Sequence, residues 1–390
     1  MQRRLLHPQE PACSFEGWPR WPDNEDFSLE LMRVLATATE GASTVSECFW
    51  AARQIDQADR TSWHDAWTAL AARTRQRGDA AAASRGFAMA TGNWLRASNY
   101  YRTAETFLTE DDERRKPTID LMRACSRLYL EHAALRASVV RIDDAEGGLL
   151  EGYFLPAPRM RRPGAVICVG GMHSFKEDLL YTMRRHGAAN ELSLLLVDHP
   201  GFDPVTGRHR GSRRAEAHFP LSRWLDYLLT HADVDPDRIA IYGDGLGAAC
   251  ATQAAKRDDR FAAAVCDGGI WEAKEKAFAA RRLSPNATKL DSRLVAPSHA
   301  DPKPLAEVAW LTLIGHSDFV SVTDAEEIRA SNERSGLHHD LKIFTDEETA
   351  SAPGQVDNPT LAKEFAFDWL RQRLKEGRRV PAASESAFDC

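Results

Sequence analysis

The spacing of apolar residues changes near residue 137, and the two parts of the chain predict different architectures. From residue 27 to about residue 135, apolar residues recur every three or four positions among Ala, Leu, Arg and Glu, which places them on one face of a helix. Trp63 and Trp67 lie one helical turn apart, a spacing that favours packing in a helical core over an aromatic lid on a ligand. We expect an all-helical N-terminal domain over residues 1–136.

Beyond residue 137 the pattern is that of strands. Two alternating segments, 137–143 and 149–155, flank a glycine-containing turn and predict paired strands. Short apolar runs, typical of buried parallel strands, follow at 165–169, 192–197, 239–242, 262–266 and 308–314, with a last strand at 341–344. Helical segments separate most of them, and 361–375 predicts a final amphipathic helix. This alternation predicts an α/β fold over residues 137–376, with a mostly parallel eight-stranded sheet, helices on both faces, and a flexible tail at 377–390.

One predicted strand runs directly into a glycine-rich turn, Gly243-Asp244-Gly245-Leu246-Gly247, and then into a helix. This is the arrangement of a nucleophile elbow, in which small residues flank a nucleophile on a strained turn. Gly243 and Gly247 meet that requirement, but the central position is Gly245, which has no side chain to attack with. A register shifted by one residue would make Asp244 the nucleophile, but Gly247 would then no longer stand two positions after the nucleophile, where the motif needs a small residue. Asp244 is otherwise a surface charge or an anion at a helix N-terminus.

The loop after the third strand, Val169 to Glu177, is the expected source of one oxyanion-hole donor. The backbone N–H groups of the Met172–His173 region and of Leu246 would form that hole, and neither donor needs a side chain at position 245. His173 is a candidate acid or base, because the ordinary pKa of a histidine side chain lies near neutrality. The alternative is a solvated or structural histidine.

A triad acid and histidine are expected on the loops after the last two strands. Asp318 follows the seventh strand and is the acid-equivalent residue, with loop capping as the alternative. The segment from Phe344 to Pro359 contains no histidine, and His338 and His339 precede the last strand, at its wrong end. The loss of both serine and histidine indicates natural divergence rather than a single trapping mutation.

Over about residues 45–375, the chain resembles one branch of the α/β-hydrolase fold. It is similar to the dihydroxypseudooxynicotine hydrolase group, which includes the fungal yellowish-green pigment polyketide hydrolases. The segments that carry the resemblance are Asn93–Phe107, Gly170–Glu177, Asp198–Gly201 and Gln355–Ala362.

The resemblance implies an enzyme with an N-terminal helical domain that covers the site. Members of this group cleave carbon–carbon bonds in β-diketone-like aromatic or polyketide substrates with Ser, Asp and His, and dimers are common among them. Matched position by position, the serine falls on Gly245, the acid on Asp318 and the histidine on Pro353. An acidic or small residue often stands at the position of His173.

The composition of the chain indicates which classes of binding partner and cofactor to expect. The net charge is -7, and the short Arg/Lys clusters have no interleaved aromatic residues, so neither nucleic acid nor an anionic membrane is an expected partner. No apolar segment is long enough to span a membrane, and no signal peptide is evident. The seven cysteines show no metal-ligand spacing, and Cys168, Cys250 and Cys266 are expected to be buried thiols in a reducing cytoplasm. We expect no metal and no organic cofactor, because Gly243–Gly247 is not a dinucleotide fingerprint.

Three functions remain open. The first is a cofactor-independent lyase, isomerase or cyclase that uses an oxyanion hole on a small aromatic, diketone or polyketide-like metabolite. The second is a non-catalytic binder or scaffold, and the third is hydrolysis by an activated water or an unexpected nucleophile. The candidate bases and further pocket residues are His173, His199, Asp244, His316 and Asp267.

Overall fold

The computed structural model describes Trp21 and residues 24–143, 149–171, 174–200, 218–245, 247–269, 308–318 and 320–376. The predicted tail, residues 377–390, lies outside these ranges. The chain divides into two compact units between Tyr129 and Leu130.

The first unit is helical in the part that the structure describes, as the apolar spacing predicts. Its helices are α1 (Glu25–Ala36), α2 (Val45–Ala52), α3 (Arg60–Ala83), α4 (Phe87–Glu105) and α5 (Arg115–His132), the last of which crosses the unit boundary. Side-chain caps start several of them. Thr44 accepts a hydrogen bond from the Glu47 amide at α2, and Asp59 accepts one from the Thr61 amide at α3.

The tryptophans of α3 lie in the core of this unit, which confirms the packing interpretation. Trp63 and Trp67 are fully buried, and their ring centres are 5.7 Å apart. The Trp63 indole N–H donates to the Thr103 carbonyl over 2.7 Å, so its polar group is satisfied across α3 and α4. A Cβ on Gly78 would lie 2.8 Å from a ring carbon of Trp94, so the glycine permits close approach of these two helices.

The second unit contains an eight-stranded sheet in the order β1-β2-β4-β3-β5-β6-β7-β8. The strands are β1 (Ser138–Asp143), β2 (Leu149–Leu155), β3 (Ala165–Val169), β4 (Ser193–Val197), β5 (Ile239–Asp244), β6 (Ala263–Asp267), β7 (Ala309–Gly315) and β8 (His339–Phe344). The β1–β2 and β2–β4 pairs are antiparallel and the other pairs are parallel. The predicted α/β architecture is therefore confirmed.

The helices of this unit include α6 (Lys176–Ala189), α7 (His218–Thr230), α8 (Gly247–Ala255), α9 (Val322–Arg334) and α10 (Pro359–Glu376), with a 3-10 turn at Pro353–Gln355. On one face of β5, Ile239 and Ile241 pack in a core with the small residues of α8. On the other face, Tyr242 stacks on Phe367 of α10 with ring centres 5.8 Å apart. Alternation along β5 therefore directs Tyr242 and Asp244 towards the α10 side.

Two details differ from the sequence expectation. His339 is the first residue of β8 and is buried, so it does not precede the strand as predicted. Thr312 and Asn332 hydrogen-bond its two ring nitrogens over 2.9 and 3.0 Å, which allows an imidazole to stand inside a strand. β5 also extends to Asp244, two residues beyond the apolar run that predicts it. Among the described residues, no helix has the length and apolar character needed to cross a membrane.

Candidate active site

The turn between β5 and α8 has the backbone geometry of a nucleophile elbow. Gly245 has a φ of +54°, in the left-handed region that the strained central position requires. A Cβ built on Gly245 would meet no atom of the described residues within 4 Å, so there is space for a side chain here. A Cβ on Gly243 would instead lie 2.5 Å from the Cα of Ala248. Steric contacts therefore require a small residue at position 243, before the centre of the turn, but not at the central position 245.

The loop after β3 touches the start of α8. A Cβ on Gly247 would overlap the carbonyl oxygen of Val169 and would lie 2.8 Å from the carbonyl carbon of Gly170. Ser174 donates its amide to the carbonyl of Gly171 over 3.0 Å. The predicted oxyanion-hole residues Met172, His173 and Leu246 lie outside the described residues, although the segments that flank them are in contact.

The acid side of the site pairs Asp318 with a glutamine. Asp318 follows β7, and its Oδ2 lies 3.4 Å from the Gly315 amide nitrogen and 3.4 Å from Nε2 of Gln355. Pro353, which the sequence resemblance places at the histidine position, begins the 3-10 turn that carries Gln355. The side chain that meets the acid therefore comes from two residues beyond Pro353. Gln355 begins one of the segments that carry the family resemblance, but the sequence alone assigned it no role.

A short glycine bridge connects the elbow with the acid loop. Gly268 and Gly269 follow β6 and have φ values of +106° and +95°. A Cβ on Gly268 would lie 3.2 Å from the Cα of Gly245, and one on Gly269 would lie 2.9 Å from Val320 beside Asp318. Residues from three strand ends are thus packed side by side at the carboxyl edge of the sheet, where working residues of α/β folds lie.

Two other histidine candidates, His199 and His316, lie within the described residues. His316 has an exposed side chain, while its amide donates to the Phe344 carbonyl over 2.9 Å. His199 is half-buried after β4, which β3 separates from β5 in the sheet. It lines a cavity of about 20 Å³ with Trp224 and Pro220, room for roughly one water molecule.

Asp244 and Asp267, two further candidates, lie in a buried charge cluster beneath the elbow. They are paired residues at the ends of β5 and β6, and Lys363 of α10 lies between their carboxylates. Lys363 Nζ hydrogen-bonds Asp244 Oδ1, and it lies 2.5 Å from Asp267 Oδ2. The Tyr242 hydroxyl donates to the same Asp267 oxygen over 2.5 Å. We call these four residues the Lys363 cluster.

Burial decides the charge states in the Lys363 cluster. Lys363 is 4% exposed and Asp267 is 1% exposed. Burial alone would lower the pKa of Lys363, but the two carboxylates outweigh it and raise that pKa, so the lysine stays charged. Burial and the neighbouring Asp244 raise the pKa of Asp267 despite the opposing effect of Lys363. Burial and Asp267 also raise the pKa of Tyr242, which therefore keeps the proton that it donates.

A second buried lysine lies on the other side of β3. Lys176, the first residue of α6, is 0% exposed and lies 2.8 Å from Asp198 Oδ2 at the end of β4. Its amide also donates to Asp198 Oδ1 over 2.9 Å. Glu177 and Glu151 lie 3.6 and 3.7 Å from its ammonium group, and Tyr153 donates to Glu177 over 2.5 Å. We call these five residues the Lys176 cluster.

The cysteines offer no nucleophile within the described residues. Cys168, Cys250 and Cys266 are buried and unpaired in disulfides, which confirms the expectation of buried free thiols. Burial, with a contribution from Asp244, raises the pKa of Cys168, so this thiol keeps its proton. Among the described residues, no three His, Cys, Asp or Glu side chains are grouped so that they could hold a metal ion.

Comparison with known sequences identifies fungal relatives, whereas no model of a known protein family matches the chain. Hydrolyase poxO of Penicillium oxalicum is 29% identical over 294 residues, which cover 71% of this chain and 69% of poxO. The α/β hydrolase xenA of Xenoacremonium sinensis is 31% identical over 259 residues, or 63% of this chain and 61% of xenA. The α/β hydrolase ucsC of an Acremonium species is 29% identical over 271 residues, and this match spans 54% of ucsC. The chain thus spans between about half and two thirds of the length of these curated relatives.

Solved structures show the same fold. The crystal structure of 2,6-dihydroxy-pseudo-oxynicotine hydrolase matches with a TM-score of 0.72 and 17% identity, over 89% of this chain and 98% of that one. Wild-type AbyA5 matches with a TM-score of 0.54 and 15% identity, over 90% of this chain and 99% of that one. The second unit of the chain therefore has the α/β-hydrolase fold.

Proposed function

We propose that the chain is an enzyme that performs non-hydrolytic, cofactor-independent chemistry on a small aromatic, diketone or polyketide-like metabolite. The observation that carries the proposal is the elbow itself. Gly245 has the left-handed backbone of a nucleophile position, with no atom of the described residues within 4 Å of a Cβ built there and with no side chain to attack. On the acid side, Asp318 faces an amide, which cannot accept a proton as an imidazole does. The scaffold of the triad is kept without its nucleophile or its base.

The relatives support a small metabolite as the substrate. They are named as hydrolases and α/β hydrolases, and one is named a hydrolyase. The hydrolase whose fold is similar acts, by its name, on 2,6-dihydroxy-pseudo-oxynicotine. Dihydroxypseudooxynicotine hydrolases also define the family that the sequence resembles. These names support the proposed substrate class, whereas the proposed lyase, isomerase or cyclase reaction rests on the glycine at the centre of the elbow.

The chemistry rests on backbone donors and one relocated base. We propose that the Leu246 N–H and an N–H of the Met172–His173 segment stabilise a developing enolate oxygen, where one such donor is worth about 3 kcal/mol of barrier. We propose His173 as the base that removes the proton next to the carbonyl, which contributes a factor of about 10²–10⁴. Asp244 and Asp267 then act as structural charges, because Lys363 occupies both carboxylates.

Labelling with a fluorophosphonate tests whether the elbow persists without its nucleophile. Wild-type protein should not be labelled, and Gly245→Ser should be labelled weakly because no base activates the new hydroxyl. Gly245→Ser combined with Pro353→His should be labelled and should hydrolyse a simple aryl ester. Labelling of the wild-type protein would contradict the proposal, because it would show an intact serine mechanism.

The reaction class is tested on the metabolite that the protein retains from a cell extract, identified by native mass spectrometry. Turnover in heavy-oxygen water should give products without solvent oxygen. His173→Ala should lower the turnover rate by a factor of about 10²–10⁴, while His316→Ala should leave it nearly unchanged. Solvent oxygen in the product would show hydrolysis by an activated water. A retained ligand that is returned unchanged would show a binding protein.

We further propose a cytoplasmic homodimer. The described cysteines, Cys48, Cys125, Cys168, Cys250 and Cys266, are all free thiols, as expected in a reducing compartment. Dimers are common in the family that the sequence resembles. Analytical ultracentrifugation tests this expectation, and a monomer at micromolar concentration would contradict it.

A further inference from the structure

Gln355 combines burial, a place in the turn that carries Pro353, and a left-handed backbone conformation. It is 1% exposed, it ends the turn that carries Pro353, and its φ of +51° lies in the left-handed region although it is not glycine. Gly354 before it also has a positive φ, of +63°. Such backbone conformations cost free energy and persist where the surrounding structure enforces them, often at functional positions.

Asp318 fixes which way the Gln355 amide faces. An ionised carboxylate can only accept hydrogen bonds, so Gln355 must present its NH₂ group to Asp318, and Nε2 lies 3.4 Å from Oδ2. The carbonyl oxygen Oε1 is then left as an acceptor. No side chain or amide of the described residues donates a hydrogen bond to it.

This pair reproduces the hydrogen-bond polarity of an acid–histidine pair. A neutral histidine that donates one N–H to its acid presents an acceptor nitrogen on the other side of the ring. The amide of Gln355 likewise donates to Asp318 and offers an acceptor, but it does not take up a proton near neutral pH. The pair therefore recognises a donor and leaves it protonated.

We propose that Gln355 is a specificity-determining residue whose Oε1 accepts a hydrogen bond from an O–H or N–H donor of the bound ligand. The enolised 1,3-dicarbonyl group suits this arrangement, because its enol hydroxyl can donate to Gln355 while the neighbouring oxygen takes the N–H donors at the elbow. The glycine bridge from Gly245 through Gly268 and Gly269 to Val320 places the elbow and the acid loop next to each other. The position of the ligand at the elbow rests on the proposed function.

The test compares two ligands that differ in the enol hydroxyl. 1-Phenyl-1,3-butanedione is enolised, whereas its 2,2-dimethyl derivative has no proton to form an enol. Calorimetry should show that wild-type protein binds the enolised ligand about tenfold more tightly, the contribution of one hydrogen bond whose loss would leave its acceptor unpaired. Gln355→Met, which is similar in size, should bind both ligands equally and should retain wild-type affinity for the dimethyl derivative.

A second variant keeps the proposal testable if Gln355→Met does not fold. Asn at position 318 can donate as well as accept, so Asp318→Asn lets the Gln355 amide turn over and should reduce the preference for the enolised ligand to a few-fold. Equal binding of the two ligands by wild-type protein, or binding of neither, would overturn the proposal, as would an unchanged preference in Gln355→Met. A Gln355-dependent preference without any turnover would remove the proposed catalysis but leave this role intact.

Discussion

The Lys176 cluster and the Lys363 cluster are two different arrangements of a buried lysine among carboxylates. Each places a buried lysine among carboxylates at the carboxyl edge of the sheet, and each lysine lies near a tyrosine ring, 5.0 Å from the centre of Tyr153 and 5.2 Å from that of Tyr242. The Lys176 cluster is built on the start of α6, immediately after the loop that follows β3. The Lys363 cluster brings its lysine from the last helix of the described chain. The two clusters flank β3 and hold the strand ends around the elbow.

The difference between them lies in how much charge each must neutralise. Lys176 faces three carboxylates, and one of them, Glu151, is also paired with Arg141 over 2.9 Å. Lys363 faces two carboxylates, of which Asp267 has a raised pKa and Asp244 is 29% exposed at its side chain. The Lys363 cluster therefore has two ways to relieve excess negative charge, by holding a proton and by contact with solvent. Substitutions in the two clusters test this difference.

Lys176→Met should be the most damaging change. It leaves three acidic side chains around a fully buried position without their central cation, and loss of one partner of a buried pair costs about 3–5 kcal/mol. We expect the free energy of unfolding in urea to fall by an amount at the upper end of that range. Lys375→Met, an exposed lysine of the same unit, is the matched control and should change it by less than about 0.5 kcal/mol. Equal stability of the two variants would show that the Lys176 cluster does not hold the fold.

Lys363→Met should cost somewhat less, about 3 kcal/mol, because Asp267 can take up a proton when the cation is removed. Adding Asp267→Asn should restore much of the loss, since only the partly exposed Asp244 then keeps its charge. Adding Glu177→Gln to Lys176→Met should restore less, because Asp198 and Glu151 remain. If both double variants recovered the same fraction of the lost unfolding free energy, the proposed difference in charge between the two clusters would be wrong.

The sheet could be predicted from the sequence because continuously apolar strands and the elbow motif are local signals. The Lys176 cluster could also have been predicted, since Lys176, Glu177 and Asp198 all lie in segments that carry the family resemblance. Lys363 was not, because a lysine in an amphipathic helix ordinarily faces solvent, and its burial depends on how α10 packs on β5 and β6. The same long-range packing brings Gln355 to Asp318, 37 residues away. Nothing in the local sequence indicates that contact.

The pH dependence of stability should distinguish Asp267 from an ordinary buried acid. Because burial raises its pKa, the folded protein keeps a proton on Asp267 at pH values where the unfolded chain has released it. Its contribution to stability is therefore present below the usual carboxyl pKa of about 4 and is lost as pH rises towards the raised value. In urea titrations across this range, Asp267→Asn should become more stable relative to wild type as pH increases. Carboxylates common to both proteins cancel in the difference, and a difference in the opposite direction would show that Lys363 keeps Asp267 ionised.

Asp244→Asn should have the smallest effect and gives the sharpest functional contrast. The amide oxygen can still accept from Lys363, and the side chain is partly exposed, so we expect a change in unfolding free energy of about 1 kcal/mol or less. Turnover of the retained metabolite should also persist, because the Asp244 carboxylate bonds Lys363. If Asp244→Asn abolished turnover at unchanged stability, the carboxylate next to Gly245 would be the nucleophile of a shifted elbow. The Lys363 cluster would then be catalytic machinery rather than the structural counterpart of the Lys176 cluster.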